Sequence, residues 1–472
     1  MTNVLLATSN GTGMGHLTRQ AAVGLALVDD HHPTLFSLSI GLPLAMGLGL
    51  NGEYSPSYDR PWIASKAWNG YLRDRLIAIV VETSADVVLF DGVAAYPGIG
   101  QTSSALRDVA FIWLRRGMWR MGTSTKQLRR ADYFDRVIEP GDLGGDADVG
   151  PTAGVRDVTR ISPISLIEVL DLLPRDEARQ ALELPLDREV ALVTLGSGRL
   201  GDVTGPGEVV IRALLERSDL HVAVTRSAVA ENEVSVDQAD RITVIRDVYP
   251  LVRYLGAFDL AVSSAGYNAV HELLPSGLPT LFVANTSTRT DDQEARSRRL
   301  TELGLALHAP DNDPAAVKAA MRRLLDPRLR QDLAAAAATT RSRVNGAKET
   351  GNLVTGFAEE FTRRRPSLSV AVAEQTQRAK DAVKDALGEE RTNSLKRMLG
   401  RRQTAIAHRS QVQLVDEVAE SSNGSLPLLV TERLTGEVLR GSFPVEHILP
   451  GSSKGYRDRR LDLIHSYYDV VE

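Results

Sequence analysis

The chain has 472 residues, 43% hydrophobic and 24% charged, a composition typical of a globular protein with two or more domains. It contains no cysteine, which excludes disulfide frameworks, thiol catalysis and cysteine-ligated zinc. A formal net charge of −5 gives no general attraction to nucleic acid, so we predict no nucleic-acid partner.

The sequence shows no targeting signal. The first ten residues, MTNVLLATSN, lack the basic leader and cleavage site of a signal peptide. No run of about 18 uncharged apolar residues is present that could span a membrane. We therefore predict a cytoplasmic protein, and peripheral attachment at the inner face of the membrane stays open.

Short aliphatic runs that end at polar or glycine residues predict a parallel β-sheet in the first third of the chain. Residues 4–9, 33–40, 85–92 and 108–116 have this pattern, and a helical pattern follows the first run. In open parallel sheets, ligands bind at the carboxyl ends of the strands. We therefore expect the turns that follow these strands to line one crevice.

A glycine loop, SNGTGMGH at residues 9–16, follows the first predicted strand. Glycine lets a backbone approach a phosphate or sugar closely, and histidine can transfer protons near neutral pH. His16 is a candidate general base, and Asp91 could orient its imidazole. A helix cap or phosphate ligand is the alternative for His16, and a turn former is the alternative for Asp91. The loop residues predicted on the acceptor or phosphate side are Gly11, Thr12, Gly13, Met14 and Gly15.

The segment WLRRGMW, residues 113–119, places two arginines and a tryptophan after a predicted strand. Arginine binds phosphate or carboxylate and tryptophan packs on sugar faces, so Arg115, Arg116 and Trp119 are candidate acceptor ligands. A solvated basic pair at a strand end is the alternative.

A stretch rich in glycine, proline and aspartate, residues 139–154, predicts a domain boundary. A second series of predicted strands begins at residues 188–198 and ends at residues 278–285. We predict domains over residues 1–155, 156–365 and 366–472. The first two are α/β domains with parallel sheets that face a cleft.

The most specific stretch is residues 259–306. Gly266 lets a backbone approach a diphosphate at the start of a predicted helix, and Glu272 can accept the hydroxyls of a ribose. An exposed helix residue is the alternative for Glu272, and His271 is interpreted as structural or exposed. The candidate donor ligands are Ser264, Ala265, Gly266, Tyr267, Asn268, Glu272, Asp292 and Gln293.

The motifs SSAGYNAVHELLPSGLP and DDQ resemble the donor-binding signature of MurG-like, family 28 glycosyltransferases. GTGMGH is similar to that family's first glycine loop, and TLGSG at residues 194–198 is similar to its second. The resemblance covers residues 1–365 and implies a GT-B fold of two Rossmann-like domains. It implies a nucleotide diphosphate at Gly266, ribose at Glu272 and the transferred sugar at Asp292 and Gln293. It also adds three donor ligands: Gly196, Ser197 and Gly198.

Two residues depart from the family pattern. Met14 stands where the family usually has glycine, so the loop can fit its ligand differently. Asp292 stands where the family commonly has the first of two glutamines, so the sugar need not be N-acetylglucosamine.

The resemblance implies an inverting glycosyltransferase that moves a sugar from a nucleotide-diphosphate sugar, with UDP-sugar favoured, to an acceptor hydroxyl. Cell-envelope or secondary glycoconjugate synthesis is the expected setting, with a lipid-linked or small-molecule acceptor. No cofactor and no metal are expected, because no D-x-D triplet ends a predicted strand in the cleft. A UDP-sugar 2-epimerase of the same fold, using acid–base groups such as His271, and a non-catalytic nucleotide-sugar sensor or scaffold stay open.

Residues 366–472 match no family that we identify, and we predict an α+β appendage. Its first half is polar, helical and basic over residues 391–409, which fits a solvated helix face or a peripheral contact with anionic lipid or a partner protein. Its second half contains a predicted hairpin, LLVTERLTGEVLRGSF, at residues 428–443.

Overall fold

The structure is a computed structural model. It describes residues 1–9, 14–57, 65–195, 204–226, 239–246, 248–362, 410–414, 425–432 and 438–444. The chain divides into two compact units: residues 1–52, 87–94 and 111–359 form the first, and residues 53–86, 95–110 and 360–472 the second. The domain boundaries predicted at residues 155 and 365 stay predictions.

The first sheet has its strands in the order β3-β2-β1-β4-β5-β6-β7, and β1 pairs in parallel with both β2 and β4. Every residue of β4 is buried, as expected of a central strand in a sheet covered on both faces. The strand bounds are β1 (Asn3–Thr8), β2 (His32–Ser37), β3 (Asn51–Tyr54), β4 (Val87–Asp91), β5 (Ala110–Leu114), β6 (Arg136–Pro140) and β7 (Thr159–Ile161).

Strand β7 lies beyond the loop that the sequence marks as a boundary, and it pairs in parallel with β6. The first sheet therefore extends to Ile161. β7 is three residues long and none of them is fully buried, so it carries no aliphatic run that a sequence pattern could detect.

Helix α1 (Gly15–Leu27) packs closely against this sheet. A Cβ on Gly24 would lie 3.1 Å from side-chain carbons of Leu6 and Leu50, so glycine permits the close approach. The next helices are α2 (Leu42–Met46), α3 (Ser65–Glu82) and α4 (Pro97–Ala105).

The second sheet has the order β10-β9-β8-β11-β12-β13, and all of its strand pairs are parallel. Its strands are β8 (Glu189–Thr194), β9 (Leu220–Arg226), β10 (Ile242–Arg246), β11 (Leu260–Ser263), β12 (Thr280–Ala284) and β13 (Leu307–Pro310). The helices of this region are α5 (Arg175–Ala181), α6 (Thr204–Leu215), α7 (Tyr267–Leu273), α8 (Gln293–Glu302), α9 (Pro314–Leu324), α10 (Pro327–Ala338) and α11 (Gly346–Glu360).

Helix α9 shows how the sequence produces the core of this sheet. Asp313 caps its N-terminus by accepting from Ala315 N and Ala316 N, both at 3.0 Å, and proline occupies its first position. Val317 and Met321, one turn apart, face the buried cluster formed by β8, β11 and β12. The predicted parallel-sheet architecture is confirmed for both sheets.

The second unit includes the buried side chain of Trp68 and the strands near the C-terminus. Trp68 is fully buried and donates from Nε1 to the carbonyl of Pro56 at 2.7 Å. Near the C-terminus, β14 (Ser410–Leu414), β15 (Ser425–Glu432) and β16 (Val438–Pro444) form an antiparallel sheet. The predicted hairpin is therefore present as β15 and β16, with β14 as a third strand. The predicted helical half of the appendage lies outside the described residues.

Candidate functional site

The carboxyl ends of β1 and β4 lie side by side and position His16 and Asp91. Thr8 and Asp91 are partners in the register of these parallel strands, and Ser9 N donates to the Asp91 carbonyl at 2.9 Å. His16 is the second residue of α1. Its Nδ1 lies 2.7 Å from Asp91 Oδ1. The structure thus brings the two candidate catalytic residues together, and their roles remain a prediction.

A third side chain, Arg19, joins this pair and was missed by the sequence reasoning. Its Nε donates to Asp91 Oδ2 at 2.9 Å and its Nη2 to Asp91 Oδ1 at 2.8 Å, and both side chains are almost fully buried. Nη2 also lies 2.8 Å from His16 Nδ1. The spacing from His16 was a usable signal, because residues i and i+3 share a helix face.

The surroundings of His16 favour a neutral imidazole. Burial lowers the pKa of His16 below its ordinary value, Asp91 opposes this shift, and Arg19 and Arg116 add to it. Burial would raise the pKa of Asp91, but Arg19 and His16 lower it, and the net direction is downward. An ionised Asp91 can accept a proton from Nδ1, and in that tautomer the lone pair of the neutral ring lies on Nε2.

Nε2 of His16 is the atom of this pair that can take part in proton transfer. Within the part of the chain that the structure describes, no group hydrogen-bonds to it. A neutral imidazole with an oriented Nδ1 and an available Nε2 can accept a proton from a hydroxyl.

Two of the three predicted acceptor ligands are enclosed by protein. Arg115 is 1% exposed, and its Nη2 donates to Glu139 Oε2 at 2.7 Å. Trp119 is 3% exposed. This burial argues against the acceptor contacts predicted for these two side chains.

Arg116, by contrast, lies near His16. Its Nη1 is 3.4 Å from Asp291 Oδ1, a long contact, and its guanidinium lies 5.3 Å from the centre of the Tyr267 ring. Burial lowers the pKa of Arg116 and Asp291 raises it, with a net downward direction. Arg116 is therefore a weakly paired cation beside the candidate base.

A second buried ion cluster, also missed by the sequence reasoning, connects the loop after β6 with the start of α8. Arg296 is fully buried, and its Nε donates to Asp142 Oδ2 at 2.7 Å. Its Nη2 donates to Asp291 Oδ1 at 2.8 Å and its Nη1 to the carbonyl of Ala265 at 2.9 Å. Burial raises the pKa of Asp291, but Arg296 and Arg116 bring it down to about 2. Every nitrogen of the Arg296 guanidinium is thus hydrogen-bonded.

His271 lies beside this second cluster with both ring nitrogens in use. Nε2 accepts from Leu143 N at 3.0 Å, and Nδ1 lies 2.6 Å from the carbonyl of Tyr267. Burial lowers the pKa of His271 to about 4, so the ring is neutral at pH 7. His271 is therefore a structural residue.

The predicted diphosphate segment follows β11. Ser264 N donates to the carbonyl of Thr194 at 3.2 Å, which keeps the ends of β8 and β11 together. Ala265 is fully buried, and its carbonyl is the acceptor for Arg296. Gly266 precedes α7, and a Cβ at this position would meet no heavy atom of the described residues within 4 Å. These residues therefore leave open space at the Gly266 backbone, as a close approach by a ligand requires.

The next two predicted donor ligands contact the first domain instead. Tyr267 donates from its hydroxyl to the carbonyl of Gly141 at 2.9 Å. Asn268 donates from Nδ2 to the carbonyl of Gly15 and accepts at Oδ1 from Arg19 Nη1, both at 3.3 Å. These side chains position the segment and link it to α1.

Glu272 is half-buried within α7. Burial raises the pKa of its carboxyl to about 8. No described residue hydrogen-bonds to this carboxyl group. A partly buried acid without a hydrogen-bonding partner has the capacity to accept hydroxyl groups of a ligand.

Asp292 and Gln293, the predicted sugar ligands, lie at the start of α8. The Asp292 side chain accepts from Ala295 N at 3.0 Å and caps the helix. Gln293 Oε1 accepts from Asn285 N at 3.3 Å. Both side chains have further hydrogen-bonding capacity, and their role in sugar binding stays a prediction.

The glycine loops fall largely outside the described residues. Gly11, Thr12, Gly13, Gly196, Ser197 and Gly198 lie there. Met14 precedes α1 without a side-chain cap, and its side chain lies against Gly41. Gly15 is the first residue of α1.

Two observations concern ions and membranes. In the described ranges, no group of three or more His, Asp or Glu side chains is arranged to hold a metal ion. None of the described helices is both long and apolar enough to cross a membrane.

Comparison with solved structures shows which fold the chain has. Spinosyn forosaminyltransferase SpnP has a TM-score of 0.54 and 14% identity, covering 76% of this chain and 99% of that one. UDP-GlcNAc 2-epimerase from Neisseria meningitidis, bound to UDP-GlcNAc, has a TM-score of 0.54 and 12% identity over 76% and 99% of the two chains. Spinosyn rhamnosyltransferase SpnG with thymidine diphosphate has a TM-score of 0.50 and 15% identity over 75% and 100%. The chain has the GT-B fold.

Sequence comparison finds a family match within the second domain. Residues 214–350 match the model of the glycosyltransferase family 28 C-terminal domain. The UDP-N-acetylglucosamine–N-acetylmuramyl-(pentapeptide) pyrophosphoryl-undecaprenol N-acetylglucosamine transferase of Salinibacter ruber is 27% identical over 189 residues, or 39% of this chain and 51% of that protein. The chain thus spans about half the length of this relative. The predicted resemblance to family 28 is confirmed over residues 214–350.

Proposed function

We propose that the chain is an inverting, metal-independent glycosyltransferase that moves a sugar from a UDP-sugar to an acceptor hydroxyl. The observation that carries the proposal is the placement of the His16 imidazole against Asp91. Its Nδ1 is held by the buried Asp91, and its Nε2 has no hydrogen bond from the described residues. The family 28 match over residues 214–350 supports a nucleotide-sugar donor.

The proposed reaction uses His16 as the general base. Nε2 accepts the acceptor's hydroxyl proton while the acceptor oxygen bonds to the anomeric carbon. The bond from that carbon to the diphosphate oxygen breaks, and the nucleoside diphosphate leaves with the bonding electrons. Attack from the face opposite the diphosphate inverts the anomeric centre. Asp91 stabilises the imidazolium that forms, and proton transfer of this kind contributes about 10²–10⁴-fold to the rate.

Donor binding is assigned to the second domain. The open space at Gly266 suits a diphosphate, and the Glu272 carboxyl suits the two hydroxyls of a ribose. Hydrogen bonds from hydroxyl groups would favour the ionised form of Glu272, because they replace the water that burial removes.

Arg116 provides a cation that can pair with a negatively charged group of a substrate near the base. Its charge is weakly paired, and it lies close enough to His16 to affect the pKa of the imidazole. A leaving diphosphate, or the phosphate of a lipid-linked acceptor, would complete its pairing. The relative from Salinibacter ruber, whose name includes pyrophosphoryl-undecaprenol, supports testing lipid-linked acceptors, with peripheral membrane contact as a consequence.

A UDP-sugar 2-epimerase is the second candidate, because one similar structure is such an enzyme. That chemistry requires an acid–base group beside the sugar ring in the second domain. His271 is the histidine that the sequence offered for this role, and both of its nitrogens are occupied by backbone groups. Its geometry therefore favours transfer over epimerisation.

The first experiment is a panel of UDP-, dTDP-, GDP- and CDP-sugars, followed by thermal unfolding of the protein and of Glu272→Ala. A ligand at 100 times its Kd adds about 2.7 kcal/mol to the stability of the folded state. Stabilisation selective for UDP and lost in Glu272→Ala is expected. Stabilisation by none of the nucleotides would contradict the proposal.

Reaction products then separate the two activities. A transferase releases UDP only when a lipid-linked or small-molecule acceptor is added and becomes glycosylated. An epimerase converts UDP-GlcNAc into its 2-epimer with no acceptor present. UDP binding without either product would favour a nucleotide-sugar sensor or scaffold.

A further inference from the structure

Arg19 has none of the roles that the sequence predicts for the residues of this site. Arg19 lies one turn after His16 on α1 and is 2% exposed. Its guanidinium contacts the carboxylate of Asp91, the imidazole of His16 and the side chain of Asn268. It is thus the side chain through which residues from β4, α1 and α7 meet.

Hydrogen-bond geometry shows what Arg19 does to Asp91. The bidentate contact fixes the plane of the carboxylate, because one N–H is directed to each oxygen. Oδ1 then has one lone pair available for His16 Nδ1 at 2.7 Å. Arg19 Nη2 has a second N–H and also lies 2.8 Å from Nδ1, but Oδ1 is the acceptor within reach of this nitrogen, so we assign the Nδ1 proton to the contact with Oδ1. The ring is held in the tautomer that leaves Nε2 available.

The charges give Arg19 a second effect. An isolated buried carboxylate beside a histidine would draw a proton onto the imidazole and remove the base. Arg19 neutralises Asp91, so the pair can remain Asp⁻ with a neutral histidine. The charged groups acting on His16 are Asp91 from β4, Arg19 from α1 and Arg116 after β5. Residues 10–13 contain no ionisable side chain, and α7 contributes the Tyr267 hydroxyl, which is neutral because burial raises its pKa.

Arg19 also connects the first domain to the second. Nη1 donates to Asn268 Oδ1 at 3.3 Å, and Asn268 Nδ2 returns a bond to the carbonyl of Gly15 at 3.3 Å. The guanidinium lies 5.2 Å from the centre of the Tyr267 ring. Tyr267 and Asn268 are the first two residues of α7, which also carries Glu272.

We propose that Arg19 is a positioning residue that orients Asp91 for His16 and links this pair to α7, so that the base keeps a fixed geometry relative to the donor domain. The proposal extends the proposed function and rests on it in calling the second domain the donor domain. The arrangement of Arg19, Asp91, His16 and Asn268 itself is independent of which sugar is transferred.

The test is an NMR titration of ¹⁵N-histidine-labelled protein, with His16→Gln used to assign the signal of His16. In the wild type, His16 should be neutral at pH 7 with its proton on Nδ1. In Arg19→Gln, which removes the charge, the pKa of His16 should rise by about one unit or more. Arg19→Lys keeps the charge but loses the bidentate contact, so its shift should be smaller. A wild-type imidazolium at pH 7, or an unchanged pKa in a folded Arg19→Gln variant, overturns the proposal.

Arg179→Lys is the matched control. Arg179 is also a buried arginine, and it pairs with Asp259 at 2.8 Å and with the carbonyl of Ala257. Its replacement should destabilise the fold and leave the titration of His16 unchanged; an equal shift in both variants would contradict a specific role for Arg19. If Arg19→Gln does not fold, the wild-type tautomer and Arg19→Lys decide the outcome.

Activity supplies a second readout. With a donor and acceptor in hand, the acid limb of the kcat/KM profile of Arg19→Lys should move to higher pH together with the NMR pKa. If the nucleotide panel is negative but Arg19→Gln shifts the His16 titration, the proposed function fails and the positioning role stands. If nucleotides bind but the titration does not move, the positioning role fails alone.

Discussion

Burial lowers the pKa of both His16 and His271, and the two histidines differ in how many of their ring nitrogens are hydrogen-bonded. His271 has a backbone partner on each nitrogen. His16 has a carboxylate on Nδ1, and the described residues leave Nε2 without a hydrogen bond. A buried group whose hydrogen-bonding atoms are all paired stabilises the fold, whereas an oriented group with one unpaired nitrogen can react. Hydrogen-bond capacity, more than burial or pKa, therefore separates the proposed base from the structural histidine.

Two of the buried arginines, Arg19 and Arg296, repeat this contrast. Arg296 joins Asp142, Asp291 and a backbone carbonyl in a closed cluster. Arg19 joins Asp91 and Asn268 but also touches His16, which is 12% exposed. Arg296 thus connects two loops, and Arg19 contacts the proposed base and its carboxylate partner.

Turnover should fall furthest in Asp91→Asn. The amide keeps the size of the side chain but can direct an N–H at His16 Nδ1, which selects the tautomer protonated on Nε2. With no lone pair facing the acceptor, kcat should fall by about 10²–10⁴-fold. The measurement is steady-state turnover at pH 7.5 with the donor and acceptor that the nucleotide panel and the product assays identify, on protein shown to be folded by circular dichroism. A kcat within a few-fold of wild type would remove Asp91 from the mechanism.

The next effect concerns Arg296→Met, which removes the cation from a closed cluster. Asp142 and Asp291 would then be partly buried carboxylates without their principal partner. The free energy of unfolding should fall by about 3–5 kcal/mol, measured by urea denaturation. Asp146→Ala is the control, because it breaks the exposed pair between Asp146 and Arg299 and should change stability little. Equal losses in the two variants would contradict the distinction.

A smaller effect, of opposite sign, is expected for Glu272→Gln. The carboxyl has a pKa of about 8 in the folded protein against an ordinary value of 4.5. The unfolded chain therefore loses this proton first, and wild-type stability declines from about pH 4.5 to pH 8. Removing the acid should stabilise the unliganded protein above pH 8 by about 1–2 kcal/mol, with no change near pH 4.

The same Glu272→Gln variant should bind UDP more weakly by about tenfold, because an uncharged amide replaces a carboxylate acceptor for the ribose hydroxyls. Urea denaturation across pH and calorimetric titration with UDP measure the two effects. A variant that loses stability at pH 8.5 would show that Glu272 has a structural partner after all.

The smallest effect is the position of the acid limb of kcat/KM in the wild type. The base must be neutral, and the pKa of His16 is lowered by burial. Activity should therefore remain above half of its maximum at pH 6.5 and fall only as pH drops further. A half-maximum well above pH 6.5 would indicate an imidazolium that is stabilised rather than disfavoured.

Much of the fold could be predicted from the sequence, because its principal strands are aliphatic runs followed by glycine or polar turns. β4 and β11 are strands of this kind. The strands that were missed, β3, β6, β7, β13 and β14, have at most five residues, and β7 has no aliphatic run. Their pairing depends on neighbouring strands, which a local pattern does not contain.

The contact between His16 and Asp91 could be predicted because neighbouring parallel strands end at the same sheet edge. The ion pair between Asp142 and Arg296 could not, because it joins residues 154 positions apart through two loops. The consecutive residues Arg115 and Arg116 look equivalent in sequence. Only the position of Glu139 on the adjacent strand β6 shows that Arg115 is already paired.

Turnover and unfolding of His16→Ala and His271→Ala, determined side by side, test the assignment of the base. We expect His16→Ala to keep its stability and its affinity for UDP while losing about 10²–10⁴-fold in kcat. We expect His271→Ala to lose roughly 2–3 kcal/mol of stability, since it leaves a cavity and an unpaired Leu143 N, and to retain turnover per folded molecule within a few-fold. The reverse result, a destabilised but active His16→Ala beside a stable but inactive His271→Ala, would contradict the assignment of the base.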